Sequence, residues 1–265
     1  MVLALVLIAC IGSLPWPAGR FAGANASSSA PRLYERVDLE RNLLPPVWAP
    51  HRDDELARRG AAADQADQSL FLLGSDRLGR DVLARLLVGG SISLTIGLAA
   101  ALISVIIGTL YGMTAGYFGG RIDAVMMRFV DILYGLPYIL LVVLLAVAVD
   151  GLLQRAESGT VIDWLRAHGP AVRVVTLLIA IGGVSWLTMA RVIRGQVLSL
   201  REQPFMEACR AIGVPWTRQF ARHLLPNLLG PIVVYATLTV PQAILQESFL
   251  SFLGIGVQPP LPSWG

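Results

Sequence analysis

The sequence predicts an all-α polytopic membrane protein, and three observations carry that expectation. Of its 265 residues, 55% are apolar and only 15% are charged, a balance beyond that of an ordinary soluble domain. The apolar residues gather into five segments, at about 1–15, 92–111, 132–149, 172–189 and 228–245. Most approach the roughly 20 residues that a helix rising about 1.5 Å per residue needs to cross about 30 Å of hydrocarbon. The arginines between the segments are also unevenly distributed, as topology requires.

The first segment, taken with its flank as a first transmembrane helix over 1–18, is short and starts at the initiator methionine. Ala24-Asn25-Ala26 has the form of a signal-peptidase site, but no basic leader precedes the apolar run. An uncleaved span whose basic leader is absent is the preferred reading. Residues 19–88 follow as an extracytoplasmic loop with equal numbers of arginines and carboxylates. Ser27-Ser28-Ser29, Pro45-Pro46 and the alanine-rich polar run at 61–68 read as loop or short surface helix, without an independent folded domain.

In and after the second span, Gly97, Gly108, Gly112 and Gly116 include four-residue spacings that permit close helix packing. Residues 116–131 are expected to form a turn, with Arg128 and Asp131 close enough along a helix for a local ion pair. The third and fourth spans flank a loop at 150–170. The next loop, 191–227, carries Arg191, Arg194, Arg201, Arg210, Arg218 and Arg222 against Glu202 and Glu207, which places it in the cytoplasm. Counting back puts the 116–131 turn on the same side and 150–170 outside. Glu247 follows the fifth span, near the outer mouth, where an ionisable group suggests function.

No lysine occurs anywhere in the chain. A Walker-A loop and a pyridoxal Schiff base both need one, so neither can be built here. If ATP drives this protein, another chain hydrolyses it. Cys10 and Cys209 are expected in different environments, which disfavours a disulfide, and the cysteines and histidines lack metal-ligand spacing. Cys209 reads as a small residue on a packed helix rather than a reactive thiol. Nothing points to nucleic acid.

Four ordered motifs resemble one family. Glu207-Ala208-Cys209, then Gly213, then Leu225-Pro226 resemble the Glu-Ala-Ala loop of ABC-importer permeases, with Cys209 as the third small residue and His223 in place of the usual isoleucine. Leu73-Gly74-Ser75-Asp76-Arg77-Leu78-Gly79-Arg80-Asp81 is similar to the Gly-Thr-Asp-x-x-Gly-Arg-Asp segment of dipeptide, oligopeptide and nickel permeases. Gly116-Tyr117-Phe118-Gly119-Gly120-Arg121-Ile122-Asp123 matches that family's following turn. Glu247-Ser248-Phe249-Leu250-Ser251-Phe252-Leu253-Gly254 and Pro262-Ser263-Trp264-Gly265 match its outer loop.

The resemblance implies a type I ABC-importer transmembrane domain over 89–265, with about five spans present of an expected six, truncated before the last. It implies the second permease subunit of an importer of dipeptides, oligopeptides, nickel or related solutes in the bacterial inner membrane. The partners implied are a homologous permease, two ABC ATPases that hold ATP and magnesium, an extracytoplasmic binding protein and the lipid bilayer. Glu207, Ala208, Cys209, Gly213, Leu225 and Pro226 would form the ATPase-coupling helix and its surroundings.

Ser199-Leu200-Arg201-Glu202 has capping-box spacing and Pro204 suits a first turn, so a helix beginning nearby is expected, with Gly213 ending it. The competing reading is a solvated amphipathic helix whose arginines set topology or touch anionic lipid. Arg80 and Asp81 are candidates for the translocation path or outer mouth, against a plainer role capping the second span and anchoring it at the interface. An ion-coupled secondary transporter would place ionisable residues mid-span, and these spans contain almost none. An intramembrane hydrolase would need a partner able to activate Ser104 or Ser185, and none lies at that depth.

Overall fold

The computed structural model describes residues 37–60, 71–155, 169–257 and 261–264, together with Cys10, Gly12, Tyr34 and Glu35. The first apolar segment, the Ala24 site and the 61–68 run lie outside the described residues, apart from Cys10 and Gly12. The long elements are all helical: α1 Asp53–Gly60, α2 Val82–Phe118, α3 Gly120–Tyr134, α4 Tyr138–Arg155, α5 Gly169–Arg201, α6 Pro204–Ala211 and α7 Trp216–Phe252. Among the described residues, three stretches are long and apolar enough to cross a membrane: α2, Val174–Arg201 within α5, and α7. A fourth qualifies if α3 and Ile139–Ala148 of α4, bent by 93°, count as one broken span.

Several boundaries differ from those the hydropathy suggests. The segment 132–149 is not one helix. Its first three residues close α3, and the chain breaks at Gly135-Leu136-Pro137 before α4 begins. Pro137 has no amide hydrogen and forces the preceding residue out of helical geometry, while the Gly135 amide closes α3 on Asp131 O at 2.9 Å. The expected 116–131 turn is almost wholly helix. Only Gly119, at φ 61° and ψ −162°, separates α2 from α3, a conformation open to glycine because it lacks a Cβ.

The helix of the fifth segment starts at Trp216 rather than Leu228. Within it, 219–224 widen into a π turn, and the Leu225 amide bonds Phe220 O five residues back. Pro226 follows at once. A proline inside a helix cannot donate to the carbonyl four residues earlier, and a π turn is one way of absorbing that mismatch.

The chain divides into two compact units, with the boundary after Leu94 inside α2. The first holds the described residues up to Leu94, with Val257 and 261–264. Tyr34, Ala84 and Val88 are buried together, and Ile92 and Leu261 pack against them. Two irregular stretches, the first holding a 3-10 turn at Leu39–Arg41, are joined by backbone hydrogen bonds from Asp38 N to Leu78 O, Leu43 N to Asp76 O and Val47 N to Leu72 O, at 3.1, 3.0 and 3.2 Å. Among the described residues, 37–47 and 71–81 are therefore held to one another.

The second unit runs from Thr95 to Gly256. Its core gathers Met113, Met189, Ile193, Val197, Met206, Leu224, Leu228 and Ile232 from α2, α5, α6 and α7. The glycines on α2 set the helix spacing. A Cβ on Gly112 would run into Ala190 O, one on Gly108 would meet Met189 Cβ at 2.5 Å, and one on Gly97 would meet Val240 O at 3.1 Å. The backbones thus approach closely through small residues, as the four-residue spacing suggests. Ser104 Oγ donates to Ser185 O at 3.0 Å and Ser185 Oγ to Ile181 O at 2.7 Å, so both hydroxyls serve helix carbonyls.

Candidate functional site

The short helix α6 begins at Pro204 with Gln203 as its N-cap. The expected capping box is not used, because α5 continues through Ser199 to Arg201 and leaves Ser199 inside a helix. Proline suits the first turn, where its missing amide costs nothing, and Glu207 in that turn faces the positive end of the helix dipole. Met206 and Cys209, three residues apart, are buried in the core. Glu207, Ala208, Arg210 and Ala211 are exposed. Cys209 is thus a small packed residue, whereas Ala208 and Ala211 leave the outer face slim.

Gly213, at φ +72°, ends α6. The Gly213 amide bonds Arg210 O at 3.1 Å and the Val214 amide bonds Cys209 O at 3.0 Å, the paired bonds of a Schellman cap. The cap is then pinned from behind. Gln219, 3% exposed, donates to Val214 O at 2.6 Å and accepts from Tyr117 Oη at 2.9 Å, tying the loop to the last turn of α2. Arg201 donates to Gly116 O at 3.1 Å and Arg210 to Arg201 O at 2.8 Å, supplying cations where helices leave carbonyls unpaired. Tyr117, Trp216 and Phe220 pack edge to face, with centroids 4.8 and 5.6 Å apart for the Tyr117–Phe220 and Trp216–Phe220 pairs. Around this base Ile212 and Trp216 remain 78% and 53% exposed, and Glu207 is exposed as well. Leu225 and Pro226 are exposed early in α7, beyond the π turn.

In the first unit, the 73–81 segment forms a closed polar knot. Ser75 Oγ accepts from Leu44 N at 2.8 Å and donates to Arg41 O, while Gly74 and Gly79 take positive φ. Asp76 accepts from the amides of Leu78 and Arg80 at 2.8 and 3.0 Å and from Arg80 Nε at 2.7 Å. Burial pushes the Asp76 carboxyl up, but the Arg80 amide and guanidinium and the Leu78 amide outweigh it and hold the group below the usual carboxylate range. Asp81 accepts from Leu83 N at 2.8 Å and Ala84 N at 3.1 Å and so caps α2. Its burial is the stronger influence, pushing that carboxyl up against the pull of the Ala84 and Leu83 amides. Arg80 and Asp81 are therefore engaged within the knot. Glu247 is fully buried within α7 and accepts from Ser251 Oγ at 2.8 Å.

Residues 108–265 match the family described as binding-protein-dependent transport system inner membrane component. The chain belongs to that family. The match covers more than half of the chain, including the packed α2–α5–α7 core and the whole α6 loop. Similar proteins include the oligopeptide transport system permease protein OppC of Haemophilus influenzae, 44% identical over 198 residues, which are 75% of this chain and 57% of that one. The dipeptide transport system permease protein DppC of Bacillus subtilis is 45% identical over 192 residues, 72% of this chain and 53% of its own. Escherichia coli OppC is 44% identical over 213 residues, 80% and 63% of the two chains. The chain thus spans a little over half the length of the first two of these relatives.

In this inner-membrane component, some cross-helix partners were not visible from spacing. Asp131 pairs with Arg191 of α5 at 2.7 Å instead of with Arg128, and the Arg191 guanidinium also lies 4.0 Å from the Tyr134 ring centroid. Asp123 receives both Arg194 Nε and a terminal nitrogen at 2.5 Å, a two-pronged clamp. Both pairs join α3 to α5 just before the loop that carries Glu207. Their sequence signal was two carboxylates eight residues apart and two arginines three residues apart, facing stripes that become partners only when the helices are laid side by side.

Proposed function

We propose that this chain is a permease subunit of an ATP-driven importer for dipeptides or oligopeptides, forming half of the translocation path and taking its energy from separate ATPase subunits. The observation that carries the reading is the Glu207 loop, a short helix with a slim exposed face, mounted on Gln219, Arg201 and the Tyr117–Phe220 aromatic base. Such a helix fits a groove on a partner, and its anchoring to α2, α5 and α7 lets a displacement of the helix reach the spans without being absorbed in loop.

The arginine bias of 191–227 supports a cytoplasmic position for this helix, the side on which separate ATPases would stand. The complete assembly would hold a homologous permease, two ATPases binding ATP and magnesium, and an extracytoplasmic binding protein. The first unit, with Arg80 and Asp81 locked in its knot, would stand on the side from which solute arrives, and Glu247 would brace the outer end of α7. Peptide as the solute is supported by the names of the relatives, which are oligopeptide and dipeptide permeases. Co-purification tests the coupling: an ATPase should be retained by the unsubstituted permease and lost from a Glu207→Ala, Gly213→Ala double variant that still assembles with its partner permease. Full retention by that variant would overturn the assignment of the loop.

A further inference from the structure

Within the Thr95–Gly256 unit, a cavity of about 350 Å³ opens among α3, α5 and α7. From α7 it is lined by Tyr235, Thr239, Gln242 and Gln246, whose spacings of four, three and four residues form one polar stripe along the helix. Across from them stand Ser185 and Thr188 of α5 and Tyr134 of α3, with the Tyr134 and Thr188 hydroxyls 2.7 Å apart. Among the described residues, none that lines it is charged.

This stripe lies on a helix apolar and long enough to span the membrane. Amide side chains turned to hydrocarbon would be costly, and the buried face of α7 is a different one, carrying Val240, Ala243 and Leu250. Gln242 is exposed at the cavity, and the wall opposite is itself polar. The volume falls within the range of about 300–1,000 Å³ typical of small-molecule sites. A glutamine amide offers both a donor and an acceptor, the complement of the N–H and C=O of a peptide unit. Without a charge, the lining has nothing that would trap a peptide terminus, and weak, neutral contacts are what a site of passage requires. Gln246 also borders a second cavity of about 190 Å³ that is almost wholly apolar, walled by Ile139, Val142, Leu245 and Phe249, which suits an apolar side chain beside the held backbone.

We propose that this polar cavity is a solute-contact subsite of the translocation path, in which Gln242 and Gln246 hydrogen-bond uncharged peptide units of the passing solute. It rests on the permease reading above and adds the residues and the chemistry of contact.

Two measurements on the full importer in proteoliposomes test it. In the first, Gln242→Cys is exposed to a small, charged, membrane-impermeant thiol reagent present on both sides, alongside Val233→Cys, an exposed apolar position about two and a half turns earlier on the opposite face of α7. Gln242→Cys should react at least about tenfold faster, because thiolate chemistry needs water, and trialanine should slow the reaction. In the second, the Gln242→Met, Gln246→Met variant, checked for intact assembly by size exclusion, should take up trialanine about tenfold more slowly, the scale of losing two neutral hydrogen bonds. No labelling of Gln242→Cys would mean that lipid or the partner permease covers the stripe, and would overturn the proposal. Labelling without protection by trialanine, or unchanged uptake by the double methionine variant, would overturn it equally. Absence of peptide uptake by the unsubstituted importer would overturn the permease reading itself, a failure distinguishable from the others.

Discussion

Replacing Gly112 and Gly195 by alanine is the same chemical change with opposite expected outcomes. Both glycines lie inside helices, so alanine brings to each the helix-propensity gain of about 1 kcal/mol. At Gly195 a Cβ meets nothing within 4 Å, and that gain should survive. At Gly112 it runs into Ala190 O and would lie 3.0 Å from both Arg194 N and Ile193 Cβ. Two of these are backbone atoms of α5 and cannot turn aside, so α2 and α5 must separate, an overpacking penalty of about 1–3 kcal/mol. The net expectation is a loss of up to about 2 kcal/mol for Gly112→Ala and a gain of up to about 1 kcal/mol for Gly195→Ala. For a chain of this size that corresponds to a fall of up to roughly 4–8 °C in Tm against a rise of up to roughly 2–4 °C. The buried Cys209 thiol provides the assay: in a Cys10→Ser background in detergent, its reaction with a maleimide dye on heating reports unfolding. Equal shifts in one direction, or a more stable Gly112→Ala, would refute the close contact between α2 and α5.

Gly213→Ala places a Cβ in left-handed backbone, a strain of about 1–2 kcal/mol, so the Gly213 and Val214 amides should exchange hydrogen faster, with Gly213→Asn intermediate. For the Asp123–Arg194 clamp, a double-mutant cycle with Asp123→Asn and Arg194→Gln should return a coupling of about 1–3 kcal/mol, and additive effects would show the pair to be idle. Asp76 has its carboxyl held below the ordinary value, so its contribution is complete above the unfolded-state pKa and is lost as pH falls through the lower folded value. The protection of the Leu78 and Arg80 amides, taken relative to their intrinsic exchange rates at each pH, should therefore fall on acidification in the unsubstituted protein and respond less in Asp76→Asn. Asp81, whose carboxyl is raised, works in the opposite direction: it opposes folding as pH rises through the carboxylate range, which an Asp81→Asn control separates.

Much of the architecture was legible because burial in a membrane leaves a long apolar record. The helices at α2, α5 and α7 follow from hydropathy, and the glycine spacing on α2 foretold which face would approach a neighbour. The ends of the helices were not legible. Hydropathy fades at an interface while backbone hydrogen bonding continues, so α2 runs back to its Asp81 cap and α7 back to Trp216. The break at Gly135-Leu136-Pro137 was written in the proline, but the apolar run around it concealed the signal. The end of α6 was readable at Gly213 because left-handed backbone needs glycine, and its start at Pro204, which suits a first turn; the capping-box spacing at Ser199 goes unused because that residue lies within α5. Pairs such as Asp123–Arg194 depend on helices far apart in the chain, and local spacing favoured the nearer Arg128 for Asp131.

The central claim, that the α6 face engages an ATPase, is tested most directly by placing a photoreactive amino acid at Ala208 in the assembled importer. The account predicts a covalent adduct with the nucleotide-binding subunit at Ala208 and none from the same probe at Val234, midway along α7. No ATPase adduct at Ala208 in an assembly that still hydrolyses ATP would contradict it.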